Sequence, residues 1–325
     1  MDSARSVAVV IPSWNSAQLL PPCLDSLAAQ DAPLELLVVD NGSSDGTLEM
    51  LRERGIEHVS LPRNVGFAAA VNLGAARVRS GPILVLNADT VLEPGCVGAL
   101  ARALASDPGL GGVQPRILQL EEGRSLDVAG ARLYSAGMAL TADGRAFEEG
   151  AGEEQGPLSA TAREIFGVCG AACLLRRDLF DQLGGYDERY FAFYEDVDLN
   201  VRARIGGWRF AYVPEAVVWH VGNASWSTGF TRPSAENARL VARNRIATQL
   251  KFMPARALPR ILAVELGALA RAARERRLRA TLAGKLAALK WLPALWRERR
   301  GLEQKGDLAL ARRWLGATDR QRESL

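Results

Sequence analysis

Four short apolar runs in the first 87 residues, each closed by a polar turn and separated by helix-period segments, constrain the fold more than any other feature. Residues 7–12 (VAVVIP), 34–40 (LELLVVD), 58–62 (HVSLP) and 82–87 (PILVLN) read as strands. Short continuous apolar runs bounded by turn signals are the pattern of strands buried on both faces. Between the first two, Leu19, Leu20, Leu24 and Leu27 recur at helical spacing. Leu48 and Leu51 follow the turn NGSSDGT (41–47), and FAAAVNLGAARV (67–78) fills the third gap. This βαβαβαβ order predicts a mostly parallel sheet with right-handed crossovers. Ligands of such sheets bind beyond the carboxyl ends of the strands. Residues 12–15, 40–43, 63–66 and 87–89 occupy those ends, so polar side chains converge at one edge.

A second informative stretch runs from 194 to 220 (YEDVDLNVRARIGGWRFAYVPEAVVWH). An acidic cluster, Glu195, Asp196 and Asp198, precedes a helical pattern, a Gly-Gly turn and a strand ending at His220. The chain has two histidines in all, His58 and this one. A carboxylate able to act as base, followed by an isolated ligand-type residue, fits metal-assisted group transfer. A solvated helix start plus a core histidine is the competing reading.

With 325 residues, 48% apolar and 24% charged, the chain is globular and large enough for one α/β domain plus an appendage. The net charge of +3 hides a split. Residues 1–236 carry 19 Lys and Arg against 30 Asp and Glu; residues 237–325 carry 21 against 7. An acidic body (1–236) with a basic helical extension (237–325) points to an anionic partner for the extension. In that extension Leu278, Leu282, Leu286 and Leu289 line one face, with Arg274, Arg276, Arg277 and Arg279 nearby. Arg-rich helices with Leu, Trp291 and Trp296 suit an interfacial helix on an anionic bilayer; a helical cap or dimer contact competes. Nucleic acid is not expected, because no recognised motif or aromatic interleaving accompanies the charge.

Cys23, Cys96, Cys169 and Cys173 have no zinc-type pairing, and two histidines cannot complete such a site, so reduced buried thiols in a cytosolic protein are expected. The strand pattern starts at Val7, so no signal peptide is expected. Glu265, Lys285 and Lys290 interrupt the best apolar stretches, so no membrane span is expected. Residues 118–165 are rich in Gly and Glu and read as a hairpin turning at Ala142-Asp143-Gly144, then a flexible loop.

Each strand-end motif has a chemical and a bland reading. VVDNGSSDGT (38–47) can hold a nucleotide, with Asp40 accepting a ring N–H, and it is also what any capped βα turn uses. RNVGFAAAVNLG (63–74) sets Arg63 beside a helix N-terminus, which suits a diphosphate, and is also ordinary helix entry. LVLNADTVLEPG (84–95) presents Asp89 at a strand end, where a carboxylate can hold Mg²⁺ or Mn²⁺, or simply cap a turn.

Taken together, in this order and wording, PSWN (12–15), VVDNGSSDGT, RNVGFAAAVNLG, LNADTVLEPG and FGVCGAACLLRRDLFDQLGGYDERYFAFYEDVDLNVRARIGGWRFAYVPEAVVWHVGNAS (166–225) closely resemble the family 2 glycosyltransferases of the GT-A fold. The resemblance covers roughly residues 6–226 and looks most like the bacterial rhamnosyltransferase and galactofuranosyltransferase branch. It implies a GT-A sheet flanked by helices. Pro12, Asn15, Asp40 and Arg63 would lie at the nucleotide, and Gly170 and Ala171 beside the donor sugar. Asp89 would be the metal-binding carboxylate, with Asn87 standing where the family's first Asp is usual. His220 would be the second metal ligand, Asp196 the base and Glu195 an acceptor contact.

The implied enzyme is an inverting, metal-assisted, non-processive transferase. It would move L-rhamnose from a dTDP donor onto a lipid-linked or cell-surface glycan acceptor, at the inner face of the membrane. A UDP-galactofuranose or other UDP-hexose donor is the alternative, and a non-catalytic sugar-nucleotide scaffold a remoter one. A homo-oligomer stays open. Processive synthases fit poorly: Leu310 stands where their Gln-x-x-Arg-Trp motif needs Gln before Arg313-Trp314. A nicotinamide oxidoreductase fits poorly too, since the first βα turn has no glycine cluster.

Overall fold

The computed structural model describes residues 6–79, 81–120, 126, 128–222 and 234–304; the Leu310 to Trp314 stretch lies outside them. Strands β1 (Val7–Ser13), β2 (Leu34–Asp40), β3 (His58–Ser60) and β4 (Ile83–Leu86) alternate with helices α1 (Leu20–Ala28), α2 (Thr47–Glu53) and α3 (Phe67–Arg77). This is the expected βαβαβαβ unit, and β4-β1-β2-β3 lie side by side and parallel. Then come β5 (Thr90–Leu92), α4 (Cys96–Ser106), β6 (Leu110–Gln119), β7 (Leu133–Ser135), β8 (Met138–Leu140) and β9 (Ala146–Glu148). Helix α5 (Pro157–Ala160), β10 (Arg163–Ile165), β11 (Ala172–Leu175), α6 (Arg177–Leu183), α7 (Glu195–Ile205) and β12 (Arg209–His220) follow. The main sheet runs β10-β12-β6-β11-β4-β1-β2-β3.

Side chains alternate across β1 as the pleat requires. Val7, Val9 and Ile11 pack under α1 and α4, with Leu20, Leu24 and Leu100. Ala8 and Val10 face α3, α6 and α7, with Val71, Leu179 and Leu199. Both faces of the sheet are therefore covered, which explains why β1 carries no polar positions before its end. β11 departs from the parallel pattern, running antiparallel to both β4 and β6. β8 and β9 form the expected hairpin around residues 141–145. The segment after it, read as a flexible loop, contains α5 and β10 instead: β10 pairs with β12, and the Tyr212 hydroxyl donates to the Ser159 carbonyl.

Helices α8 (Ala235–Phe252), α9 (Leu258–Arg274), α10 (Leu278–Leu289) and α11 (Leu292–Gln304) complete the described chain. α8 packs on the sheet unit: Phe252 joins Val197 and Val201 of α7, and Ala247 joins Tyr190 and Leu295. α10 approaches α8 so closely that a Cβ at Gly284 would lie 2.2 Å from the Arg239 carbonyl oxygen. It turns Thr281, Gly284 and Ala288 inward, so its leucines point outward: Leu286 is 65% and Leu289 51% exposed. On α9, Leu258, Leu262 and Leu266 are likewise exposed. Among the described residues, no helix is long and apolar enough to cross a membrane.

Candidate active site

The strand order reverses at β1, and the carboxyl ends of β1 and β4 open there into a cleft of about 1360 Å³. Pro12 and Asn15 line it from β1, Asn87 and Asp89 from β4, Gly170 and Ala171 from the loop entering β11. Glu195 and Asp196 enter from the first turn of α7, and His220 from the end of β12. Nine of the eleven residues singled out in the sequence thus meet in one cavity. Asp40 and Arg63 do not line it. Asp40 is fully buried at the end of β2, where its Oδ2 accepts the Ser43 N–H and its Oδ1 has no partner among the described residues. Arg63 lies exposed on the neighbouring loop.

The loops after β1 and β2 and the loop before α3 hold one another. Asn15 N–H donates to Ser43 Oγ (2.8 Å) and its side-chain oxygen accepts the Ser44 N–H (2.9 Å). Asn41 bridges onward, accepting Val65 N–H and donating to the Gly66 carbonyl. These Asn and Ser residues replace ladder partners where the strands end.

Asp89 Oδ1 lies 3.1 Å from His220 Nε2, and Asn87 Nδ2 lies 3.3 Å from the same nitrogen. Burial works to raise the Asp89 carboxyl, but His220 and backbone N–H donors together hold the group below the ordinary carboxylate value. The Tyr134 ring stands edge-on to His220 at 4.4 Å. Asp89 and His220 supply an anionic oxygen and an imidazole nitrogen at one point, and a half turn of the Asn87 amide would add a second oxygen. That donor set fits a divalent ion whose remaining ligands come from a bound diphosphate. Among the described residues, no cluster of three or more His, Cys, Asp or Glu forms a closed metal site.

Two carboxyls at the start of α7 differ in their surroundings. Asp196 Oδ2 accepts the Gly170 N–H (2.9 Å) and Oδ1 the Val197 N–H (2.8 Å). Burial raises its pKa and these two donors restrain the rise. Glu195 is 5% exposed and its Oε2 has no partner among the described residues. Burial, then the neighbouring Asp196, pushes its carboxyl well above the usual range. The pair therefore separates into a carboxyl that ionises first and a neighbour that keeps its proton longer.

Sequence reasoning missed Glu148. It follows the hairpin turn, lines the cleft and accepts the Ser135 hydroxyl. Burial and the charge of Asp196 push its pKa up to about 8. A lone Glu in a Gly- and Glu-rich segment carries no signal that distinguishes it from its neighbours. Also missed was the backbone ahead of Glu195. Phe191, Phe193 and Tyr194 have φ of 67°, 71° and 68°. Aromatic side chains rarely adopt that region, and each such residue costs about 1–3 kcal/mol.

The glycosyltransferase like family 2 model matches residues 4–243. The chain belongs to this family. A rhamnosyltransferase of Mycobacterium tuberculosis, named N-acetylglucosaminyl-diphospho-decaprenol L-rhamnosyltransferase, is 32% identical over 68% of this chain and 77% of its own length. The O-antigen chain rhamnosyltransferase RfbN of Salmonella typhimurium is 24% identical over 70% and 69%. Among solved structures, GalNAc-T7 with UDP, GalNAc and Mn²⁺ aligns with a TM-score of 0.56 at 17% identity, over 73% of this chain and 48% of that one. A mannosyltransferase of Pyrobaculum calidifontis with GDP-Man and Mn²⁺ aligns at 0.50 and 21% identity, over 96% and 87%. These two show the shared GT-A fold. The glycosyltransferase is thus an enzyme that transfers a sugar, with rhamnosyltransferases among its relatives.

Proposed function

We propose that this glycosyltransferase is an inverting L-rhamnosyltransferase that uses dTDP-L-rhamnose and a prenyl-diphosphate-linked sugar acceptor. The 32% identity to the mycobacterial enzyme across most of both chains carries the sugar and acceptor classes. In this reading residues 1–236 form the catalytic unit and residues 237–325 its helical extension.

Pro12 and Asn15 serve the nucleotide end, with Asp40 and Arg63 behind them outside the cleft, and Gly170 and Ala171 flank the donor sugar. The acceptor hydroxyl oxygen attacks the anomeric carbon as the bond from that carbon to the diphosphate oxygen breaks. Asp196 takes the hydroxyl proton, and the nucleoside diphosphate leaves with the bonding pair. One base suffices for a single displacement, so configuration inverts. Glu195, holding its proton, would donate a hydrogen bond to the acceptor sugar. Asp89 and His220 would hold a divalent metal, with Asn87 beside them; the ion would neutralise charge growing on the departing diphosphate. Aligning two sugars in a cleft accounts for much of the rest.

The cleft continues away from the strand ends between α8 and α9, past Leu240, Val241, Val264, Ala268 and Arg271. Apolar walls with three arginines (Arg245, Arg271 and Arg277) against two acids (Glu236 and Glu275) suit an amphiphilic anion. The exposed leucines of α9 and α10, with Trp296 at 54% exposure, support peripheral contact with the inner face of an anionic membrane.

The test is a donor screen read by nucleoside diphosphate release. The purified chain is given dTDP-L-rhamnose, UDP-galactofuranose and other UDP-hexoses, with a prenyl-diphosphate N-acetylglucosamine acceptor. Release from dTDP-L-rhamnose alone supports the reading. Preference for a UDP donor replaces the sugar, and no release with any donor leaves a non-catalytic binder.

A further inference from the structure

We infer that helix α8 is the support that holds the cleft's strained loop in shape, and that Asn244 is its positioning residue. The inference rests on the proposed function only in taking Asp196 as the reactive group that the loop presents.

Residues 190–194 enter α7 through a backbone that isolated chain would avoid. Phe191 has φ 67° and ψ −66°, and the Ala192 N–H donates to the Tyr190 carbonyl two residues back at 2.8 Å. That is the γ-turn of the rare, strained hand. Phe193 and Tyr194 follow at positive φ, and Glu195 and Asp196 come next. Strain of this kind persists only where the surroundings over-determine it. Three bulky residues cannot be relieved by glycine-like freedom, so something outside the loop must hold it.

One face of α8 does so. Asn244 is fully buried, and its Nδ2 lies 2.9, 2.8 and 2.6 Å from the carbonyl oxygens of Tyr190, Ala192 and Phe193. Arg243 donates to the Tyr190 carbonyl (2.8 Å) and to Asn244 Oδ1 (2.9 Å), which fixes the amide's orientation. One turn on, Thr248 Oγ1 meets the Tyr190 hydroxyl at 3.1 Å. A further turn on, Lys251 Nζ lies 2.7 Å from Asp198 in α7 and 3.5 Å from Asp187 ahead of the loop. From the opposite side the Ala68 N–H at the start of α3 donates to the Phe191 carbonyl. There a Cβ on Gly66 would sit 2.6 Å from that oxygen and from the Phe191 ring. The loop is thus gripped between the donor-side helix α3 and the extension's first helix, with Asn244 satisfying carbonyls that no strand or helix can.

An amide is the only side chain of this size that donates to carbonyls while accepting from Arg243. Asn244→Asp keeps shape and acceptor but replaces the donors with a carboxylate facing three carbonyls. Asn244→Ala removes both.

Both variants are assayed beside Asp196→Asn in the full chain. Donor KM and nucleotide affinity, kcat, and hydrogen exchange of the amides at 190–197 are read. The expected result is a fall of about 100-fold in kcat with donor affinity unchanged, because a misplacement near 1 Å costs that much. Amide protection should be lost in 190–197 and retained in β1 and β4. Wild-type kcat and protection in both Asn244 variants overturn the inference, whatever Asp196→Asn does. Full turnover by Asp196→Asn overturns the base assignment and leaves the exchange readout to decide on Asn244. If neither Asn244 variant folds, Thr248→Val releases one end of the same grip. It should lower kcat several-fold with exchange quickened in the loop; unchanged values in both overturn the inference.

Discussion

The Gly170 N–H donates to Asp196 Oδ2 at 2.9 Å, which ties the loop entering β11 to the first turn of α7. A Cβ on residue 170 would stand 3.2 Å from that same oxygen, so glycine lets the carboxylate lie directly on the backbone that enters β11. Asp196 is therefore oriented twice, by Gly170 and by its own neighbour Val197. Its charge is held inside the cleft, beside Gly170 and Ala171.

Asp196→Asn can keep only one of the two hydrogen bonds, because its amide nitrogen cannot accept an N–H, and it removes the proposed base. Turnover should fall by about 10²–10⁴-fold while nucleotide affinity stays near wild type. Steady-state kinetics together with nucleotide titration check this, and retained turnover would remove Asp196 from the base role. Because burial raises the Asp196 pKa, wild-type activity should be lost on the acid side at a higher pH than for a solvent-exposed aspartate.

Asp89 and His220 meet at 3.1 Å with Asn87 as their third neighbour. If the proposed metal is used, chelator should suppress transfer and Mn²⁺ or Mg²⁺ should restore it, since two protein ligands would hold an ion loosely enough to be stripped. Asp89→Asn leaves no anionic ligand from this motif and should abolish the metal response. Activity that persists in chelator would make this a metal-independent site, with the Asp89–His220 pair serving the diphosphate directly.

Much of the site was legible because strand ends and motif order are local. Residues 7–87 needed only period and turn chemistry, and Asp196 and His220 stood in one continuous block. Less legible was whatever depended on direction or distance. The residues of β11 (ACLL) would suit a parallel strand equally well, since composition does not encode direction. Gly66 reads as a loop glycine until Phe191 is found against it. Asn244 looked like one more polar residue in a basic helix, because its partners lie 51 to 54 residues away. The leucines of α10 were legible as a face, but which way that face points depended on Gly284 packing against α8.

Glu148 gives the cleft a pH-dependent element. Its carboxyl rises from the ordinary 4.5 to about 8 in the folded chain. A raised carboxyl favours the folded state when protonated. Its contribution is therefore full below about 4.5 and is lost as pH climbs through about 8. Glu148→Gln keeps the shape without that titration. Its melting temperature should exceed that of wild type by a margin that widens between those two values, then levels off. A constant offset across the range would show that Glu148 titrates normally.

Lys251 is 4% exposed and faces Asp198, Asp187 and Glu298. Lys251→Met would leave these acids without their shared cation, although Arg202 still reaches Asp198 and Arg189 still reaches Asp187 and Glu298. Removing one partner of a buried ionic group costs about 3–5 kcal/mol, and chemical denaturation should show a loss toward the lower end. Because Lys251 joins α8 and α11 to α7, the loss should come with a kcat defect that Arg209→Met, which pairs with Asp107 away from the cleft, does not share.

The outward leucines of α9 bear on where the enzyme works. Leu262 and Leu266 are 54% and 67% exposed, one turn apart, on a helix that ends in Arg271 and Arg274. Fully burying a leucine side chain is worth about 1.5–3 kcal/mol, and basic residues beside it add attraction to anionic lipid. Replacing both leucines with Gln should therefore lower partitioning onto vesicles of mixed zwitterionic and anionic lipid by tenfold or more. Turnover of a water-soluble, short-chain acceptor should stay unchanged. Raising salt should weaken binding of the wild type as well, because part of the attraction is screened. Equal partitioning of the variant and wild type would mean that this apolar face meets something other than lipid.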